Sequence, residues 1–165
     1  ALFVLGTAPF EAVSKYTLSV LPLFVLMGNL ANRANLSRNL YDAAYAVVGH
    51  YKGGLAMSTV GACAGFGMIC GSSIATAATM SQMAGPEMKR HGYSDALISG
   101  SVASGGTLGI IIPPSVILII YAYLTEQSIQ QLFFAALIPG LIAVVLYMIA
   151  IRVYLLIYPD QGGHG

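Results

Sequence analysis

Small hydroxyl-bearing residues lie in the middle of a long apolar stretch, where they could supply oxygen ligands to a cation. Residues 66–81 read FGMICGSSIATAATMS and contain Gly71, Ser72, Ser73 and Thr76. Glycine lets the backbone come close to a ligand, and hydroxyls join carbonyls in binding hard cations. Small residues also mediate ordinary packing between membrane helices. The cluster therefore favours a ligand-binding turn and leaves a purely packing role open.

A second irregular segment follows further along the chain. The stretch SGGTLGIIIPPSVILII carries Gly105, Gly106, Gly109, Pro113 and Pro114, residue types that weaken or break a helix. We expect two half-helices joined by an unwound segment over residues 105–115. Irregular backbone at membrane depth is tolerated where it lines a cavity or is buried in protein. Free N–H groups at helix ends attract carboxylates, and free carbonyls with hydroxyls can coordinate Na⁺. Together the two segments predict a transport site near the bilayer midplane.

Composition makes a membrane the natural solvent of this chain. Of its 165 residues, 57% are hydrophobic and 8% are charged, against roughly 25% charged residues in a soluble domain. The net charge of +1 lacks the basic footprint of nucleic-acid binding. Cys63 and Cys70 lie in the apolar stretch without the spacing of a disulfide framework or a zinc site, so we expect buried thiols and no transition metal.

The longest uncharged run covers residues 53–86, which is 34 residues. A straight helix of that length would measure ~51 Å, against ~30 Å for the hydrocarbon core, whereas two spans need ~40 residues and a turn. Lys52 precedes the run, and Lys89 and Arg90 follow it. Because basic residues favour the cytoplasmic side, both ends are predicted on that side. The run is therefore predicted to be a re-entrant hairpin with its tip at CGSSIATA.

The charged residues divide the chain into segments that together predict an all-α integral membrane protein. These are a scaffold transmembrane helix (1–35), an amphipathic helix at the membrane surface (36–52), the re-entrant hairpin (53–88), a broken transmembrane helix (94–126), a further transmembrane helix (127–158) and a polar tail that we expect to fray or to mark a truncation (159–165).

The same segments predict an orientation. The chain would start outside at Glu11 and Lys15, cross to Arg33 and Arg38 inside, and send the hairpin out and back between Lys52 and Lys89. It would then cross to Glu126 and return to Arg152.

Several stretches resemble the large membrane subunit of TRAP transporters, the DctM-like family. They are LPLFVLMGNLANRANLS, GFGMICGSSIATAATM, MKRHGY, GGTLGIIIPPSVILIIYAYLTEQSI and LFFAALIPGL, within residues 20–141. The resemblance implies an elevator-type secondary transporter of the bacterial inner membrane that uses a Na⁺ gradient and no other cofactor. It also implies a small membrane subunit as partner, and a soluble extracytoplasmic protein that delivers an acidic organic solute.

The resemblance also implies site residues. For sodium it implicates Gly71, Ser72, Ser73, Gly109, Ile112 and Pro114, with hydroxyls from the two serines and carbonyls from Gly109 and Ile112. For the solute it implicates Thr76, Thr107 and Ser115. Family members contain two inverted repeats and this chain has room for one, so we expect a fragment of a longer protein, with an incomplete site.

Other readings of the same residues stay open. A binding-protein-independent dicarboxylate or citrate symporter could share the hairpin architecture, and a structural membrane subunit would need no ligand. A membrane serine hydrolase using Ser72 or Ser104 is disfavoured, because a nucleophilic serine needs a nearby base and neither 53–86 nor 96–125 contains His, Asp, Glu or Lys. The solute class stays open among C4-dicarboxylates, sialic acid, and keto or sugar acids.

Overall fold

Helices form nearly all of the described chain. The computed structural model describes residues 16–163, with side chains from residue 22 onward. The helices are α1 (Tyr16–Arg33), α2 (Leu36–Val48), α3 (Gly54–Cys70), α4 (Ser73–Arg90), α5 (Asp95–Ile111), α6 (Val116–Thr125) and α7 (Ile129–Ile157), followed by a 3₁₀ turn at Pro159–Gln161. Residues 16–163 contain no strand, so the all-α prediction is confirmed. Two stretches, Asp95–Thr125 and Ile129–Ile157, are long and apolar enough to cross a membrane.

Helices α3 and α4 form an antiparallel hairpin. The turn is only Gly71 and Ser72, and Gly71 has φ +58°, a left-handed conformation that glycine adopts without a steric penalty. Far from the turn, the hydroxyl of Thr59 on α3 lies 3.6 Å from the sulfur of Met88 on α4. The two open ends of the hairpin therefore lie side by side, and we call this end of the molecule the base.

Small residues let both α3 and α4 pack closely against α5. A Cβ atom added to Gly67 would lie 2.6 Å from the Cα of Gly109, and one added to Gly105 would lie 2.8 Å from the sulfur of Cys63. A Cβ on Gly106 would lie 2.8 Å from the Cβ of Ala77. Because backbones in contact gain dispersion energy over many atoms, such small-residue faces are typical of membrane helix pairs.

The interruption between α5 and α6 is shorter than the sequence predicts. Gly105, Gly106 and Gly109 all lie inside α5, and only residues 112–115 leave the helix. The glycines were expected to weaken the helix, but their missing side chains are what allow α3 and α4 to pack against it. The prolines end the helix because they lack an N–H donor and clash with the preceding turn.

Helix α2 packs along the hairpin, and its place at the membrane surface stays a prediction. A Cβ on Gly65 would lie 3.4 Å from Leu40, and one on Gly61 would lie 3.5 Å from Ala44. Leu36 lies near Ile69, close to the turn. The helix therefore runs antiparallel to α3, because its apolar stripe fills the shallow groove left by the glycines of α3.

The placement of α2 bears on the predicted orientation, which stays a prediction. Arg33 and the start of α2 lie at the turn end of the hairpin, whereas Lys52 lies at the base. Arg33 and Lys52 were predicted on one side of the membrane, and the structure separates them by the length of α2. Glu11 and Lys15 lie outside the described residues.

The polar tail is held at the base through Gly163, where the sequence predicts fraying. The hydroxyls of Ser94 and Tyr154 donate to the side-chain oxygen of Gln161, at 2.8 and 2.6 Å. The backbone N–H of Ser94 donates to the carbonyl of Gln161 at 3.2 Å. These bonds place the end of α7 beside the loop after α4, and a Cβ on Gly53, before α3, would lie 3.6 Å from Ile151 of α7.

The close approach of α3 and α5 gives a direct test. We expect Gly67→Ala to lower the free energy of unfolding by about 1–3 kcal/mol, the usual cost of overpacking, because its Cβ would meet the backbone of Gly109. Gly100→Ala is the matched control on α5, since no atom lies within 4 Å of its added Cβ. The control should leave stability unchanged or raise it by up to about 1 kcal/mol through helix propensity.

The measurement is thermal unfolding of the purified full-length protein in detergent, followed by circular dichroism. Equal unfolding temperatures for Gly67→Ala and Gly100→Ala would contradict the close packing of α3 against α5.

Candidate functional site

The hairpin turn and the break in the α5–α6 segment touch one another. The backbone N–H of Val116, the first residue of α6, donates to the carbonyl of Gly71 at 3.3 Å. A Cβ on Gly71 would lie 3.1 Å from the carbonyl oxygen of Pro114. The two irregular segments that the sequence singles out therefore form one site, which we call the tip site.

Hydrogen bonds within the turn fix the orientation of its polar groups. Ser72 is the N-cap of α4, and its hydroxyl accepts from the N–H of Ala75 at 3.3 Å. The fully buried hydroxyl of Thr76 donates to the carbonyl of Ser72 at 2.7 Å and lies 3.0 Å from the thiol of Cys70. Because a carbonyl can only accept, the Thr76 proton points to Ser72, and the thiol of Cys70 also lies within 3.6 Å of that carbonyl.

The proline pair leaves carbonyl oxygens without helical donors. In a helix, the carbonyls of Gly109 and Ile110 would accept from the residues four positions later, which here are Pro113 and Pro114 and have no N–H. Gly109 faces the turn, since its added Cβ would lie 2.8 Å from the Thr76 hydroxyl and 3.0 Å from the Ser72 carbonyl. The break therefore brings an unused acceptor close to the polar turn.

Ser115 carries a buried hydroxyl without a hydrogen bond. Its side chain is 0% exposed, and its oxygen has no partner among the described residues. A buried hydroxyl left unpaired costs about 1–3 kcal/mol. The Ser115 hydroxyl therefore lies next to the helix break as an oxygen whose hydrogen-bonding capacity is unused by the described residues.

A cavity of about 360 Å³ lies between the hairpin turn, the break at residues 112–115 and α1. The first residues of α4 and of α6 line it, including Ser73, Ile74, Val116 and Ile117. The first N–H groups of a helix lack helical partners and carry partial positive charge. Two helix N-termini at one cavity create a favourable place for a carboxylate.

Two residues of this cavity were missed in the sequence analysis. Asn29 and Asn32 line it from α1, and Gly28 allows α1 to approach, because its added Cβ would lie 3.1 Å from the Cα of Cys70. The amide of Asn29 donates to the carbonyl of Val25 at 3.1 Å. Two amides three residues apart in the apolar stretch MGNLAN were the signal that could have identified this polar face.

The other predicted site residues are placed as follows. Ser73 lines the cavity at the start of α4, and Ile112 is buried at the end of α5, with its N–H donating to Leu108 at 2.9 Å. Thr107 is not brought to the site. Its exposed hydroxyl donates to Ser104 at 2.6 Å and lies 3.2 Å from the hydroxyl of Tyr147 on α7.

The chemistry of the site is that of neutral oxygens and backbone dipoles. Within residues 16–163, no three His, Cys, Asp or Glu side chains converge as metal ligands. Hydroxyl and carbonyl oxygens suit a hard monovalent cation, and free N–H groups suit an anion.

Comparison with known proteins identifies the family. Residues 2–158 match the DctM component of the tripartite ATP-independent periplasmic transporters. The chain is 42% identical over 144 residues to the C4-dicarboxylate TRAP transporter large permease protein DctM of Pseudomonas aeruginosa, covering 87% of this chain and 34% of the relative.

The names of two other relatives give different solutes. The ectoine TRAP transporter large permease protein TeaC of Halomonas elongata is 33% identical, over 86% of this chain and 33% of the relative. The sialic acid TRAP transporter permease protein SiaT of Haemophilus influenzae is 31% identical, over 79% of this chain and 21% of the relative. The chain thus spans between about a fifth and about a third of the length of these relatives. It belongs to the family of DctM components of the tripartite ATP-independent periplasmic transporters.

Proposed function

We propose that the chain is part of the large permease subunit of a sodium-driven transporter that imports small organic acids. The observation that carries the proposal is the contact between the hairpin turn and the break, made by the Val116–Gly71 hydrogen bond, with the unpaired Ser115 hydroxyl beside it. A structural subunit without a ligand would gain nothing from an unsatisfied buried hydroxyl at this place.

Sodium is proposed to bind where the turn meets the break. Its ligands would be hydroxyls of Ser72 and Ser73 and carbonyls among Gly71, Gly109, Ile112 and Pro114. Ser115 was expected to bind the solute, but its complete burial suits a small ion better, and we assign its oxygen to sodium. Thr76 would bind the solute only by giving up the hydrogen bond from its hydroxyl to the Ser72 carbonyl and donating to the solute instead.

The solute is proposed to bind in the cavity beside the ion. C4-dicarboxylates, sialic acid and ectoine, which appear in the names of relatives, all carry a carboxylate. The N-termini of α4 and α6 would bind that group, and the amides of Asn29 and Asn32 would contact the remaining polar atoms. An ion next to the carboxylate would couple the two binding events, because opposite charges attract strongly where water is excluded.

The remaining features of the proposal concern the whole transporter. The hairpin would be re-entrant with its tip near the midplane, and the site would move by an elevator motion across the bacterial inner membrane. A small membrane subunit and an extracytoplasmic binding protein would complete the complex. The alternative is a symporter of similar architecture that takes its solute directly from solution.

The first test is solute uptake into proteoliposomes that contain the full-length parent and its small subunit. We expect uptake to require both an inward Na⁺ gradient and the loaded binding protein. Uptake without the binding protein would favour the alternative symporter, and uptake without sodium would refute the proposed coupling ion.

The second test concerns the ion site. Ser115→Ala should raise the sodium concentration for half-maximal uptake about tenfold, equivalent to about 1.4 kcal/mol of lost binding. Thermal stability should be unchanged or slightly higher, because the mutation removes an unpaired buried hydroxyl. Ser99→Ala is the control, since that exposed hydroxyl on α5 only donates to the carbonyls of Asp95 and Ala96. Equal sodium dependence in the two variants would remove Ser115 from the site.

The third test separates solute from ion. Asn32→Ala should raise KM for the solute by up to about tenfold, the effect of losing one hydrogen bond to a polar atom of the solute. The half-saturating sodium concentration, measured at saturating solute, should stay unchanged. Asn39→Ala provides the control, because this exposed amide on α2 lies away from the cavity. A higher sodium requirement with unaltered KM would place Asn32 at the ion instead.

A further inference from the structure

A second cavity, of about 510 Å³, lies at the base, at the opposite end of the hairpin from the tip site. It is enclosed by the start of α3, the loop after α4 and the end of α7. Its lining includes His50, Lys52, His91, Tyr93, Leu155 and Leu156. The proposed transport function makes no use of these residues.

The polar wall of this cavity is basic. Its lining contains Lys52, His50 and His91 and no Asp or Glu. Two acidic groups near His91 in sequence are already paired, Glu87 with Arg90 at 3.6 Å and with His91 at 3.8 Å, and Asp95 with Lys89 at 3.3 Å. Asp160 follows the lining residue Pro159 in sequence. Lys52 forms no ion pair with an acidic residue in the part of the chain that the structure describes. Lys52 therefore presents to the cavity a positive charge that no ion pair neutralises among the described residues.

Two further contacts strengthen the basic character of the cavity. The guanidinium of Arg152 lies 5.3 Å from the ring centroid of Tyr51, which lines the cavity. The Nδ1 atom of His91 lies 2.9 Å from the carbonyl of Glu87. Since a carbonyl only accepts, Nδ1 carries a proton, and Nε2 can donate to an anionic ligand when the ring is doubly protonated.

The opposite wall is apolar and continues along α7. Leu156 is 76% exposed and lines the cavity, and Val153 and Ile149 follow it along the helix with about half of their surfaces exposed. Tyr51 and Tyr158 are also exposed at this end. Exposed tyrosines beside a long apolar helix mark the level of the lipid head groups in a membrane protein.

We propose that the base cavity binds the phosphate head group of an anionic phospholipid, with the acyl chains lying along α7. Basic pockets between membrane helices on the cytoplasmic side are suited to such head groups. Lys52 and His91 would contact the phosphate, and Leu156 would begin the path of the acyl chains. A free phosphate would use the basic wall but leave the apolar wall exposed.

The test is native mass spectrometry of the full-length protein in detergent. Phosphatidylglycerol is titrated against phosphatidylcholine with the same acyl chains, and glycerol 1-phosphate is added as a competitor. We expect preferential retention of phosphatidylglycerol and little displacement by glycerol phosphate. Lys52→Ala should weaken phosphatidylglycerol binding about fivefold, the effect of one basic residue near an anionic head group.

Lys89→Ala is the matched control, because Lys89 lies at the same end but pairs with Asp95. It should leave lipid binding unchanged. Equal losses of phosphatidylglycerol binding in the two variants would show general attraction to the basic end and overturn the proposal. Full displacement of phosphatidylglycerol by glycerol 1-phosphate would also overturn it. If Lys52→Ala does not fold by circular dichroism, His91→Gln replaces it with the same expected direction. Solute uptake is measured in parallel, so that a failure of the lipid proposal can be told apart from a failure of the proposed transport.

Discussion

The close contact between α3 and α5 is the constraint on which the rest of this structure depends. Gly67 and Gly109 bring the two backbones together, and a single added methyl group would separate them. That approach places the end of α3 at the end of α5, so that the turn at Gly71 and the break at residues 112–115 meet. The hydrogen bond from Val116 to Gly71 exists only because both helices end at the same depth.

The tip site forms without any charged side chain. Residues with formal charge are costly inside a bilayer, whereas interrupted helices expose partial charges that the backbone already carries. The prolines at 113 and 114 remove donors and leave carbonyls unused, and the starts of α4 and α6 supply N–H groups. Polar groups of both signs are therefore available within a few residues, at the energetic cost of one unpaired hydroxyl on Ser115.

The two ends of the hairpin differ in chemistry because they differ in their surroundings. The turn end places amides and hydroxyls around the cavity, with Arg33 at the end of α1 nearby. The base collects Lys52, His91 and Arg152 with several tyrosines, together with the ion pairs of Glu87 with Arg90 and Asp95 with Lys89. Gln161 ties the tail to Ser94 and Tyr154 at the base, so that the hairpin and the end of α7 are connected there.

The sequence by itself determined the all-α class, the hairpin turn at GSS and the proline break, because glycine, serine and proline act locally on the backbone. It did not determine that α2 lies along α3, that residues 105–109 stay helical, or that Thr107 faces Tyr147. These outcomes depend on which small residues face which neighbour, a property of helix packing that spacing along one chain leaves undetermined. Asn29 and Asn32 line the cavity only because α1 packs against the turn. The sequence shows an amide in an apolar helix but not which element that amide faces.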